Sequence, residues 1–216
     1  MSEGEGPGDR EPTDADLVAR FRGGDRSAFD VLVLRHQRRV YNLSYRMLGR
    51  VEDARDAAQE AFLACYRHLG TFRGDSAFGT WLHRITVNAC YDSLRRRPPD
   101  PSPLSDVVEP AAARDHADQA VATVDVQRAL LRVPLEFRGA LVLHDIQGLR
   151  YEEVAEALAV PIGTVRSRLH RGRLYLARVL AGEPAPPSAA SKGATPEGGT
   201  DDRDDPNHPS ATVRSP

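Results

Sequence analysis

The sequence predicts an all-α protein of two small helical domains, a helical bundle and a helix-turn-helix, joined by a flexible linker and flanked by disordered ends. Three observations predict it. Residues 14–180 lack the long valine/isoleucine alternations of a sheet and are rich in Ala, Leu and Arg. Helix stop signals recur at Gly23-Gly24, Gly49, Gly70 and Pro98-Pro99. Charge is also segregated. Residues 14–97 carry 15 Arg against 10 acids and 119–180 carry 9 Arg against 6, whereas 1–13, 98–118 and 181–216 sum to −3, −4 and −3.

The elements follow in order. Residues 1–13 are acidic and glycine-rich and read as disordered. In the first domain, 14–97, Asp14 or Asp16 caps a short helix ending at Gly23-Gly24. Ser27 opens a longer helix with Phe29, Leu32, Val33, His36, Val40, Leu43, Tyr45 and Met47 around its apolar side, closing near Gly49. A third helix is expected over 52–69 and a fourth over 76–96. Residues 98–118 hold five prolines and five acids and read as the linker. The second domain, 119–180, is expected to hold helices at 119–131, 135–147, 151–158 and 162–180. Residues 181–216 have seven prolines and no apolar period, and read as a disordered acidic tail.

Composition excludes several function classes. No run of 18 apolar residues is present, and Met1–Pro12 lacks the apolar segment of a secretory signal, so a cytoplasmic protein without membrane insertion is expected. Phosphate-loop, HExxH and GxSxG motifs are absent, as is a convincing nucleophile–base set, so no catalytic residue is expected. The histidines are scattered and no CxxC occurs, so neither metal nor cofactor is expected. Cys65 and Cys90 read as buried reduced thiols, with a redox disulfide as the alternative. The net charge of −2 conceals two basic domains on acidic tethers, a pattern that suits a polyanion.

The most specific local signal is residues 151–170, YEEVAEALAVPIGTVRSRLH. Val154, Ala155 and Leu158 form one apolar side, Ala159-Val160-Pro161 supplies a break, and a second helix opens at Ile162. At 100° per residue Ile162, Val165, Leu169, Gly172, Leu176 and Leu180 share the core side. Gly163, Ser167, His170, Arg171 and Arg178 lie opposite, flanked by Arg166, Arg168 and Arg173, with no acid between 157 and 182. Such a face fits a major groove, where Arg and His reach base edges and flanking arginines neutralise phosphates.

In the first domain, Ala54, Ala58, Ala61, Phe62, Cys65 and Leu69 share one helix face, and Asp53, Asp56 and Glu60 form a stripe opposite it. The stripe is either a solvated face or a site for a basic protein partner. On the next helix Phe78, Leu82, Ile85 and Ala89 are apolar, and Trp81, Arg84, Asn88, Tyr91 and Arg95 run beside them. An aromatic, an amide and arginines on one strip can stack on and hydrogen-bond unpaired bases, with a core role for Trp81 as the alternative.

Together these segments resemble the extracytoplasmic-function sigma factors, compact members of the sigma-70 superfamily retaining conserved regions 2 and 4. DARDAAQEAFLACYRHLGTFRG (53–74) resembles the region-2 helix that docks on the polymerase clamp. SAFGTWLHRITVNACYDSLRRR (76–97) resembles the −10 segment, its stretch 81–94 being similar to an actinobacterial sigma-M-like branch. Residues 133–180 resemble region 4. The resemblance implies that Arg166, Ser167, His170 and Arg171 read the −35 element, and that the loop 73–80 with Asn88 captures a flipped −10 base. It further implies that Asp53, Asp56, Gln59 and Glu60 contribute to docking on RNA polymerase core, and that an anti-sigma factor masks the polymerase-facing surfaces. A dimeric helix-turn-helix regulator is the alternative. It predicts a palindromic site and leaves 53–97 unexplained.

Overall fold

The computed structural model describes residues 11–96 and 117–183, with side chains of the second stretch from residue 125. Eight α-helices occur among them: α1 (Asp14–Arg22), α2 (Ser27–Leu48), α3 (Val51–His68), α4 (Phe78–Arg96), α5 (Ala117–Arg132), α6 (Leu135–Leu141), α7 (Tyr151–Leu158) and α8 (Ile162–Leu180). No strand is present among the described residues. The expected disordered ends and linker lie mostly outside the described residues, as does Arg97. Within them, α5 begins at Ala117, inside the segment read as linker.

Helix α1 is capped by Thr13, not by Asp14 or Asp16. The Asp16 N–H donates to Thr13 Oγ1 (3.2 Å) and the Thr13 N–H donates back to the Asp16 carboxylate (2.8 Å), closing a capping box. Asp14 instead reaches across to α2, where it accepts from Arg35 at 2.6 Å and lies 2.7 Å from His36 Nε2. Helix α2 ends at Gly49, in the left-handed conformation (φ 83°) that glycine adopts without Cβ strain. Helix α3 continues past its expected stop as a 3-10 turn, Leu69–Thr71. Helix α4 starts two residues later than expected, at Phe78.

Leu17, Val18, Phe21, Leu32, Val40, Ala61, Cys65, Leu69, Phe78 and Leu82 form the core of the first four helices. Its centre is small on α3: Ala54, Ala57, Ala58 and Ala61 are buried, which lets that helix approach α2 and α4 closely. Trp81 packs at the edge, its ring 4.8 Å from that of Phe72 and 5.9 Å from that of Phe78.

A second core runs across both halves of the chain. Leu43, Met47 and Leu48 of α2 and Val87 and Cys90 of α4 meet Leu130, Val133, Phe137, Ala140, Leu141, Val154, Val165 and Leu169. The sequence reads as two tethered domains, and the described structure packs them on a shared core. The physical reason is that the end of α2 and the second half of α4 carry apolar side chains that helices α1–α3 leave uncovered.

Within the second half, α6 passes into a single π turn, Val142–Ile146, and the Gln147 N–H donates to the Val142 carbonyl at 2.9 Å. Ala159 makes the turn between α7 and α8 in the left-handed region (φ 52°), at a cost of about 1–2 kcal/mol that glycine would avoid. Across the pair, α8 crosses α6 where Gly172 meets Leu141, and a Cβ there would sit 3.0 Å from Leu141 Cγ. Leu141 is 2% exposed and has nowhere to move. Gly172→Ala is therefore expected to lose stability. Better helix propensity returns about 1 kcal/mol, and overpacking costs about 1–3 kcal/mol. A thermal melt checks the sign.

Candidate nucleic-acid interface

Helix α8 is held by Val165, Leu169, Gly172 and Val179, all buried. Ile162 and Leu180, expected on the core side, are 36% and 51% exposed. They stand at the two ends of the helix, where the packing partners run out. Arg166, Ser167, His170 and Arg171 are exposed on the opposite side. The Ser167 hydroxyl donates to the Thr164 carbonyl at 2.9 Å, so it is an acceptor aimed outward.

The flanking arginines differ from one another. Arg173 forms a two-pronged bridge with Asp145, at 3.1 and 2.6 Å. That pair ties α8 to the π turn, so Arg173 brings less unneutralised charge to a phosphate than Arg171 does. Arg168 is half-buried and lines a groove beside Tyr91.

On α4, Arg84, Asn88 and Arg95 are exposed along one strip, and Arg95 pairs with Asp92. Trp81 is half-buried in an aromatic cluster with Phe72 and Phe78, which braces the loop at 73–77. One edge of the indole therefore serves the core while the loop before it is fixed in place. Tyr91 is also half-buried, and burial pushes its phenol up from the ordinary value.

On α3, Asp56 and Gln59 are exposed. Glu60 accepts from Arg96 Nη2 at 2.9 and 2.8 Å, and Asp53 lies 3.8 Å from Arg50. The stripe is thus one solvated carboxylate, Asp56, between two paired ones, with Gln59 exposed beside it. Exposed pairs of this kind are worth little and exchange readily for another cation.

Both thiols are buried, and burial pushes each up to about 12. They are therefore neutral, poorly nucleophilic thiols at neutral pH. Neither is expected to react with a thiol reagent at pH 8 until denaturant is added, and a colorimetric thiol titration checks this. Among the described residues no cluster of His, Cys, Asp or Glu could hold a metal ion. None of their helices is long and apolar enough to cross a membrane.

Sequence reasoning missed Arg138, Gln127 and His83. Arg138 donates to the carbonyls of Met47 (2.7 Å), Leu131 (2.5 Å) and Val133 (3.0 Å). Burial lowers its guanidinium to about 10. Gln127 is 1% exposed and His83 8%. The one available signal was a polar residue in an apolar period, which sequence alone reads equally well as a surface position.

Known proteins match both halves of the chain. Residues 32–98 match the family described as Sigma-70 region 2, and residues 123–176 match Sigma-70, region 4. The ECF RNA polymerase sigma factor SigM of Mycobacterium tuberculosis is 46% identical over 174 residues, 80% of this chain and 87% of that protein. The RNA polymerase sigma-H factor of Pseudomonas aeruginosa is 41% identical over 184 residues, 77% of this chain and 93% of its own. Among solved structures, CnrH in complex with the cytosolic domain of CnrY superposes with a TM-score of 0.62 at 26% identity, covering 79% of this chain and 99% of that one. With two region matches in order and relatives at this identity, the chain belongs to the extracytoplasmic-function RNA polymerase sigma factors of the sigma-70 family.

Proposed function

We propose that this alternative sigma factor, which directs promoter-specific transcription initiation, divides the work between residues 14–97 and 119–180. The exposed strip of α4, with the loop at 73–80, receives unstacked −10 bases. Asn88 supplies donor and acceptor groups, Arg84 and Arg95 neutralise backbone, and Trp81 braces the loop from behind. The exposed side of α8 reads the −35 duplex through Arg166, Ser167, His170 and Arg171. Arg168 and Arg173 serve at its flank, each after giving up its present neighbour.

Asp53, Asp56, Gln59 and Glu60 dock on polymerase core in this reading, with Asp56 and Gln59 presented directly to solvent. The protein works by binding alone, with no catalytic residue of its own, and it acts in the cytoplasm where core polymerase is. The tether at 98–118 lets two individually weak DNA contacts reinforce one another through effective concentration. An anti-sigma partner covering the polymerase-facing surfaces fits the acidic stripe on α3. The observation that carries the reading is α8, whose one side is buried at Val165, Leu169 and Gly172 while the opposite side is exposed and acid-free.

Co-elution with sigma-free core polymerase tests the docking assignment. Asp56→Arg combined with Gln59→Arg is expected to weaken co-elution at least tenfold, on the order of 1.4 kcal/mol, with melting temperature unchanged. Undiminished co-elution would assign docking to another surface.

A further inference from the structure

The chain leaves α8 by doubling back on it. Gly182 takes the left-handed conformation (φ 75°) just past the helix. Its N–H donates to the Val179 carbonyl at 3.2 Å, and the Glu183 N–H donates to the Arg178 carbonyl at 3.0 Å. That pair of bonds is the glycine-ended stop that folds a chain over its own last turn. Glu183 is set down there with its carboxylate 3.4 Å from Arg178 Nε.

Arg178 stands two turns beyond Arg171, on the same side of α8. The first acid after the helix therefore lies on the side read above as facing the −35 duplex. Arg166, His170 and Arg171 are exposed further back along that side, and α8 has no acid of its own to answer them. Beyond the described residues, the sequence gathers Asp201, Asp202, Asp204 and Asp205 into one five-residue stretch. The eighteen residues 184–201 span at most about 60 Å, whereas Arg178 and Arg166 are about 18 Å apart along the helix. Reach is ample. A tether of this length also makes the encounter intramolecular, at an effective concentration on the order of millimolar.

We propose that the acidic segment 201–205 docks on the arginine side of α8 in its own chain, on the path that Glu183 begins, and stands there in place of a DNA backbone. This rests on the reading of α8 as the helix that enters the duplex. Carboxylate oxygens take the guanidinium donors that phosphates would otherwise take. Each exposed pair is weak, so the segment yields to a promoter whose bases add contacts of their own. Competition lowers the affinity for every duplex alike, which empties weak non-cognate sites before strong ones.

The test compares the full wild-type chain with a full-length variant carrying Asp201→Asn, Asp202→Asn, Asp204→Asn and Asp205→Asn. All four substitutions lie outside every described helix. Backbone amide NMR spectra are recorded without DNA, and each protein is titrated with a fluorescent duplex of randomised sequence. The amide signals of residues 166–178 are expected to move between the two proteins. The variant is expected to bind the duplex about fivefold tighter at about 50 mM salt, with the gap narrowing at about 200 mM. Unmoved α8 signals would overturn docking even if the variant bound more tightly, since the acids would then only repel the duplex from a distance. Signals that move on α4 instead would place the segment elsewhere and overturn it equally. Equal affinities would overturn the shielding alone, whereas no duplex binding by either protein would remove the reading of α8 on which it rests.

Discussion

Arg171→Ala is expected to cut transcription from a −35-dependent promoter by about 5- to 150-fold, the equivalent of about 1–3 kcal/mol for one base-specific bidentate contact. The side chain is exposed on the acid-free side of α8, so its removal leaves the buried row Val165, Leu169 and Gly172 intact. Helicity and melting temperature should therefore match wild type. Arg166→Ala is the informative contrast. If it contacts phosphate, binding weakens evenly across sequences and the slope of log affinity against log salt falls by about one. Normal strength and normal promoter choice in Arg171→Ala would show that α8 reads the duplex with other side chains.

The second large effect is acid destabilisation through His83. This imidazole is held down to about 4, first by burial and then by the neighbouring His36 and Arg39, with Glu153 of α7 pulling the other way. An unfolded histidine titrates near 6.5, so between those values the unfolded chain binds the proton and the folded chain does not. Stability from this group is therefore complete above about pH 6.5 and is lost as pH falls toward the folded value. From about pH 7.5 to about pH 5 the expected loss is about 2 kcal/mol. Urea unfolding at the two pH values checks it, with His83→Asn as the partner variant. The variant should lose markedly less over that interval. Equal losses in the two proteins would assign the pH dependence to other groups.

Much of the fold was legible because its signals are local. Stops at Gly23-Gly24 and Gly49 and the break at 159–161 rest on residues whose backbone chemistry fixes them. Cap choice was less legible. Thr13, Asp14 and Asp16 all suit an N-terminus, and only the pull of Arg35 and His36 on Asp14 decides among them. The π turn at 142–146 was invisible, because its apolar spacing differs from an α-helix by a single residue. The candidate interface divides in the same way. The wheel placed Ser167, His170 and Arg171 on one exposed side, since a helix face depends only on spacing. It could not show that Arg173 is spent on Asp145 or Glu60 on Arg96, because those partners lie 28 and 36 residues away. The same holds for the junction between the halves. Gln127 and Arg138 find their carbonyl partners on α2 only once the chain has folded back, so nothing near them in sequence announces it.

Run-off transcription shows whether this chain confers promoter-specific initiation on core polymerase. The purified chain is combined with bacterial core polymerase lacking its own sigma factor and with pooled promoter fragments. Discrete transcripts that require this protein are expected, and they disappear with Asp56→Arg combined with Gln59→Arg. No transcript with a matched core, together with tight binding of a palindromic duplex by the protein alone, would contradict this expectation.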